Sequence, residues 1–212
     1  MTFEGFGEGA VEFYDGLLAD NSKAYWTDQR AVYESDVREP MLALLAALEP
    51  EFGGPGKVFR PYRDVRFSAD KTPYKTHCGG YTPPYYVQLS ADGLMVAAGY
   101  YRMESDQVAR YRTAVDDERR GADLIARLDA GRAAGLEVGG QTLTRAPRGV
   151  APDHPRIDLL RHKSLHLWRT FPPDDVLHEP ACLDRVADVW RAARPLAEWL
   201  ADHVGPSDRP RR

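Results

Sequence analysis

The chain has 212 residues, a formal net charge of −4 and a composition of 43% hydrophobic and 28% charged residues. This length and composition are typical of a globular protein that buries a core without a metal or a disulfide. The acidic balance argues against non-specific coating of nucleic acid, and there is no run of about 18 apolar residues that would predict a membrane span. The two cysteines, Cys78 and Cys182, lie far apart and outside any CxxC pair, which favours a reducing, cytoplasmic location.

The first fifty residues have the apolar spacing of helices. Apolar side chains recur every three or four positions from 7 to 19 and again from 23 to 48. Asn21 or Ser22 can cap the second helix. Pro40 predicts either two helices or one kinked helix, because proline cannot donate a helical hydrogen bond.

A β-hairpin is the clearest element of the middle of the chain. Residues 85–90 alternate between the two faces of a strand, Asp92-Gly93 fits a tight turn, and 94–102 forms the return strand. Short strands or extended chain are also expected at 57–62 and 65–67. The small side chains of Ala97, Ala98 and Gly99 predict close approach by another backbone, a ring or a ligand.

The rest of the chain alternates between helical and extended patterns. The expected elements are helices over 106–117 (capped by Ser105) and 122–133, a short hairpin within 136–145, helical turns at 157–162, a strand at 165–171 and an amphipathic helix over 182–204 kinked at Pro195. We therefore predict an α+β fold with an antiparallel sheet centred on residues 57–102 and helices from both termini packed on it. We expect a single domain over 1–205 and a disordered tail over 206–212.

A basic segment stands out on this acidic chain. Six basic and two acidic residues lie between Lys57 and Lys75. Like charges repel unless an anion lies among them, and arginine suits bidentate contact with phosphate or carboxylate. The sequence therefore predicts a cleft that binds an anionic small molecule. The candidate binding residues are Arg60, Arg63, Arg66, Lys71 and Lys75, joined by Lys163 from a second basic set at 161–163.

Ring and imidazole side chains complete the candidate site. Trp26 and Tyr74 are the expected wall, because rings next to cations suit a planar ligand. His77 follows the basic segment directly and is the candidate general acid or base, with His154 as a second. A positive neighbourhood would lower the pKa of His77 and keep its ring neutral. Whether the protein is an enzyme stays open at this point.

Two other interpretations fit the same residues. The cations and rings could form a nucleic-acid-associated module. Alternatively, the cluster could be an internal salt-bridge network in a non-catalytic scaffold. A cation-lined pocket would favour the small molecule, an open basic face with exposed rings would favour nucleic acid, and internally paired cations would favour the scaffold.

Other chemistry has weak support. His162 and His166 are separated by a predicted change of secondary structure, and His178 lacks an HExxH partner, so no metal site is predicted. The sequence contains no GxGxxG after a strand, no Walker motif and no GxSxG, and it indicates no particular cofactor. Cys78 beside His77 is more simply a buried core thiol than a nucleophile. Nothing in the sequence indicates an oligomeric state.

Residues 63–77, RDVRFSADKTPYKTH, resemble the signature of a bacterial and fungal family known as a domain of unknown function, DUF2461. The similarity extends over roughly residues 3–204 and includes Gly5-Phe6, Asn21-x-Lys23, Asp92-Gly93, Asp153-His154-Pro155 and the segment 159–163. The chain departs from the family pattern at Ser22 and Tyr25 and has Arg148 where Pro-Lys-Gly is usual. The resemblance implies one α+β domain and implies no activity.

Overall fold

The computed structural model describes residues 2–66 and 68–208. The helices are α1 (Ala10–Ala19), α2 (Lys23–Val32), a π-helix (Tyr33–Arg38), α3 (Glu39–Phe52), α4 (Ser105–Asp116), α5 (Glu118–Ala133), α6 (Ile157–Leu160), a 3₁₀-helix (Asp175–His178) and α7 (Ala181–His203). The strands are β1 (Lys57–Val58), β2 (His77–Thr82), β3 (Tyr85–Ser90), β4 (Gly93–Tyr100), β5 (Glu137–Gly139) and β6 (Leu165–Phe171). The predicted α+β class is confirmed.

The strands form a six-stranded antiparallel sheet in the order β1-β2-β3-β4-β6-β5. Four of them lie within the predicted span of 57–102. The β3–β4 hairpin is present, but its turn is Ala91-Asp92, and Gly93 begins the return strand with a φ of 93°. The positive φ explains why the sequence has glycine at that position.

The described residues fall into two compact units, one within Met1–Val96 and Thr170–Asp188, the other within Ala97–Arg169 and Val189–Arg212. The prediction of a single domain stays a prediction. In the second unit, Ser207 Oγ and the Asp208 N–H donate to the Asp106 carboxylate at 2.8 and 2.9 Å. Residues 209–212 of the expected disordered tail lie outside the described residues.

In the first unit a π-helix joins α2 to α3, so the helix continues where the sequence predicted a break or kink at Pro40. Pro40 has no N–H to donate to the Asp36 carbonyl four residues earlier. That carbonyl instead accepts the N–H of Gly7 at 2.9 Å, and the Asp36 carboxylate accepts the N–H of Gly9 at 3.0 Å. The carbonyl that proline leaves without a helical donor thus holds the N-terminal segment against the helix.

Little strand forms in the two segments around the basic run that were predicted as short strands or extended chain. Only Lys57–Val58 forms a strand, Val65 and Arg66 lie in no strand, and Phe67 lies outside the described residues. Strand β2 was missed, because Gly79-Gly80 has the composition of a turn. These glycines serve packing instead: a Cβ on Gly80 would lie 2.8 Å from Sδ of Met41 in α3.

The second unit differs from prediction at two elements. Helix α4 begins one residue earlier than expected, and its N-cap is Glu104, which forms a capping box with Gln107. Residues 137–139 pair with β6 instead of forming a local hairpin. The close approach predicted near Gly99 is made by backbone: a Cβ on Gly99 would lie 2.5 Å from the carbonyl oxygen of Leu165.

Among the described residues, no helix combines the length and apolar character needed to cross a membrane.

Candidate anion-binding site

The basic segment forms a loop with paired legs in the first unit. Tyr62 and Tyr74 form an isolated antiparallel bridge. On either side of it, the Arg63 N–H donates to the Pro73 carbonyl at 2.9 Å and the Lys75 N–H donates to the Pro61 carbonyl at 2.8 Å. The loop is therefore anchored at its base, and its charged side chains start from a defined backbone.

The rings of Trp26 and Tyr74 lie beneath this loop. They stack with centroids 4.5 Å apart and planes 10° apart, and each residue is only 5% exposed. Each ring is therefore surrounded by other protein groups, and the stacked pair packs against the base of the loop. Contact of these two rings with a ligand, as predicted from sequence, stays a prediction.

Three of the candidate cations have partners within the loop. Arg63 donates to the Asp70 carboxylate and to Thr72 Oγ1. Arg66 makes a bidentate contact with the Asp64 carboxylate at 2.9 and 2.7 Å. The Lys71 ammonium donates to the Val65 carbonyl at 2.9 Å.

Both loop carboxylates are held in the charged state. The pKa of Asp64 is lowered to about 2, mainly by its hydrogen bonds from Arg66. The pKa of Asp70 is also lowered to about 2, first by the N–H of Thr72 and then by Arg63. For these three cations, an external anion would have to compete with partners that are already in place.

Arg60 and Lys75 have no such partner. In the part of the chain that the structure describes, neither forms an ion pair with a carboxylate. Burial lowers the pKa of Lys75, and repulsion by the Arg60 guanidinium lowers it further. Two neighbouring cations that form no ion pair are an arrangement that an anion would stabilise.

Rings that sequence reasoning missed surround this pair. Phe59 and Tyr81 lie 6.1 Å apart with planes 25° apart, and the Lys75 ammonium lies 5.4 Å from the centre of the Phe59 ring. Tyr86 is directly opposite Tyr81 in the β2–β3 register, and its ring centroid is 6.4 Å from that of Phe59. We call Phe59, Arg60, Lys75, His77, Tyr81 and Tyr86 the basic aromatic patch.

Gly79 makes the patch flat. It lies between His77 and Tyr81 on the same face of β2, because side chains alternate along a strand. A Cβ at Gly79 would lie 2.7 Å from the Tyr86 hydroxyl and 3.2 Å from Cδ2 of Phe59. The period-two pattern of His77, Gly79 and Tyr81 would have revealed this face if β2 had been recognised in the sequence.

His77 borders the cations of the patch. Its pKa lies below the ordinary value, first because burial disfavours the imidazolium and second because Lys75 repels it. A neutral imidazole can accept a proton or a hydrogen bond. The assignment of His77 as a general acid or base stays a prediction.

The thiol next to His77 does not have the properties of a nucleophile. Cys78 is 2% exposed, and burial raises its pKa to about 12 despite the nearby Arg38 and Lys75. A thiol with such a pKa stays protonated near neutral pH. Cys78 belongs to the core.

The remaining candidates lie in the second unit. The backbone N–H of Lys163 donates to the Gln141 carbonyl at 2.7 Å. His154 Nε2 lies 3.0 Å from the Asp116 carboxylate, and its Nδ1 accepts the Arg156 N–H at 3.0 Å. The predicted role of Lys163 in the anion site stays a prediction. No group of three His, Cys, Asp or Glu side chains within 2–66 and 68–208 is arranged to hold a metal ion.

Comparison with known proteins identifies one family model. The model is described as a conserved hypothetical protein (DUF2461), and it matches residues 9–199. Neither the search of curated proteins nor the search of solved structures returned a match.

Proposed function

Because this chain belongs to the DUF2461 family of conserved hypothetical proteins, a description that names no activity, we propose its function from the site alone. The basic aromatic patch binds an anionic small molecule that carries a phosphate or a carboxylate. The observation that carries the proposal is the Arg60–Lys75 pair. The two cations repel each other, and neither forms an ion pair among the described residues.

The mechanism of binding is electrostatic. An anion between Arg60 and Lys75 would remove their mutual repulsion and return the Lys75 pKa toward its ordinary value. The Lys75 ammonium is half-buried against Phe59, where ion pairs are screened less than at an open surface. The same anion would offset the repulsion that Lys75 exerts on His77 and so raise the pKa of that ring toward its ordinary value.

The scaffold interpretation accounts for only part of the cluster. It explains Arg63, Arg66 and Lys71, whose partners lie within the loop. It gives no ion pair to Arg60 or Lys75, although Arg60 is near enough to the Asp64 carboxylate to help lower its pKa. We assign no reaction to the patch.

We also propose a reducing, cytoplasmic location, which is supported by the two cysteines, Cys78 and Cys182, being both free and buried.

Titration calorimetry with pyrophosphate tests the proposal. Lys75→Met should weaken binding about tenfold or more, since a charged hydrogen bond contributes about 1.5–3 kcal/mol. Lys71→Met is the matched control, because it removes the same charge from the same segment at a side chain already hydrogen-bonded to Val65. It should leave the affinity nearly unchanged.

Two results would refute the proposal. One is an absence of pyrophosphate binding at low ionic strength. The other is an equal loss in Lys75→Met and Lys71→Met, which would mean that only overall charge matters.

A further inference from the structure

The patch combines cations that form no ion pair among the described residues with rings that face solvent, and from this we infer the class of the ligand: a flat ring that carries one phosphate, as in a nucleoside monophosphate. This inference rests on the proposed function, because it names the substrate class of the same site.

The order of side chains along β2 places His77 and Tyr81 at opposite ends of the patch. His77, Gly79 and Tyr81 lie on one face of the strand, and neighbouring members of this series are about 6.7 Å apart. The cations lie beside His77: Lys75 is two residues before it in the chain, and the Lys75 N–H donates at 2.8 Å to the carbonyl of Pro61, the residue after Arg60. The rings flank Tyr81, which is paired with Tyr86 across the sheet.

Phe59 connects the two ends. The Lys75 ammonium lies 5.4 Å from the centre of the Phe59 ring, and the Tyr81 ring lies 6.1 Å from the same centre. A ligand whose phosphate contacts Lys75 would therefore place a group one short linker away against Tyr81. A pentose separates the phosphate and the base of a nucleotide by a comparable distance.

The exposed rings favour a planar group over a sugar phosphate. Phe59 and Tyr81 are each 37% exposed on a face that carries cations. Stacking removes such rings from water, and every nucleobase has a π-face to offer. A sugar phosphate would use the cations and leave the rings solvated.

The number of cations without an acid partner favours one nucleotide over a nucleic-acid strand. A strand presents a phosphate at every nucleotide and needs cations along its path. Three of the six basic residues of the segment are held by partners in the loop. Among the described residues, the other three form no ion pair: Arg60, Lys75, and Lys57, which is opposite Tyr81 in the β1–β2 register. The chain as a whole is acidic, at −4. The patch therefore matches one phosphate and one base.

Calorimetric titration with AMP, ribose 5-phosphate and adenosine tests the inference. We expect AMP to bind about tenfold or more tightly than ribose 5-phosphate, since stacking of one base is typically strong enough for that ratio. Tyr81→Leu should weaken AMP binding about tenfold and leave ribose 5-phosphate binding unchanged. Tyr81→Phe keeps the ring and should bind AMP like the original protein. Circular dichroism checks that each variant is folded.

The outcomes separate the two proposals. Equal affinities for AMP and ribose 5-phosphate, both dependent on Lys75, would overturn the ring class and leave anion binding in place. No binding of any phosphate compound would overturn both. Tight, steeply salt-dependent binding of a short single-stranded DNA without binding of AMP would overturn the mononucleotide in favour of nucleic acid.

Discussion

The side-chain amide of Asn21 pairs with the backbone of Tyr74 in both directions. Asn21 Nδ2 donates to the Tyr74 carbonyl at 3.2 Å, and Asn21 Oδ1 accepts the Tyr74 N–H at 3.0 Å. The Asn21 amide thus makes with Tyr74 the two hydrogen bonds that the backbone of a neighbouring strand would make. Together with the Trp26–Tyr74 ring stack, it fixes the residue that precedes Lys75 and so positions the ammonium of the patch.

Asn21→Asp should destabilise the protein by about 1–3 kcal/mol, because it leaves the Tyr74 carbonyl facing a carboxylate in place of a donor. The substitution keeps the side-chain shape and the acceptor for the Tyr74 N–H. Urea unfolding measures the change in the free energy of unfolding. Gln141→Glu, an exposed amide-to-acid change in the second unit, is the control and should shift the free energy little. Equal shifts in both variants would contradict the structural role of Asn21.

The adjacent glycines of β2 should respond differently to a methyl group. Gly79→Ala places a Cβ against the Tyr86 hydroxyl and the Phe59 ring, so it should weaken ligand binding several-fold with a small cost in stability. Gly80→Ala places a Cβ against Met41 and Leu45, so it should lower the free energy of unfolding by about 1–3 kcal/mol. Calorimetry and urea unfolding on both variants measure the two effects. The reverse pattern, with binding lost at Gly80 and stability lost at Gly79, would show that the two faces of β2 are misassigned.

Stability should fall as the pH falls from about 7 to 5. Burial lowers the pKa of His77, His162 and His166 in the folded protein. The unfolded chain takes up protons as the pH passes about 6.5, so it binds more protons than the folded chain in this window, and the free energy of unfolding drops. Asp64, Asp70 and Asp106 have pKa values of about 2, so the stability that their carboxylates contribute is complete near neutral pH and is lost only below about pH 5, as first the unfolded and then the folded chain takes up protons.

His162→Asn tests this assignment. His162 Nδ1 lies 2.9 Å from the Ser164 carbonyl and must donate to it; an asparagine amide can supply a similar donor without titrating. Urea unfolding midpoints measured from about pH 8 to pH 5 should vary less with pH in the variant than in the original protein. Above about pH 7.5 the two slopes should agree, since neither state then exchanges histidine protons. An unchanged slope between pH 7 and 5 would contradict the contribution of His162.

Both thiols should be inert in the folded protein. Cys78 is 2% exposed and Cys182 is fully buried, and burial raises their pKa values to about 12 and about 11. Ellman's reagent should therefore label neither thiol on the timescale of a free thiol, and should label both once urea is added. Fast labelling of one thiol in the native protein would contradict the core placement of that residue.

The sequence alone determined the class and many of the elements, because these depend on local patterns. The patterns of apolar residues located α1 and the strand Leu165–Phe171, and the polar pair Asn21-Ser22 marked the start of α2. The hairpin of β3 and β4 followed from alternation and a glycine with positive φ. Each of these signals is complete within a few residues of chain.

Tertiary structure decided which cations have partners and which rings face solvent. The sequence identifies Arg60, Arg63, Arg66, Lys71 and Lys75 as one basic run, but only the fold of the loop pairs Arg63 with Asp70 and Arg66 with Asp64 and leaves Arg60 beside Lys75. It likewise buries Trp26 and Tyr74 against each other and brings Phe59, which follows β1, next to Tyr81 of β2. Charge and ring content are properties of composition, whereas pairing and exposure depend on contacts between residues distant in sequence, and those contacts exist only once the chain has folded.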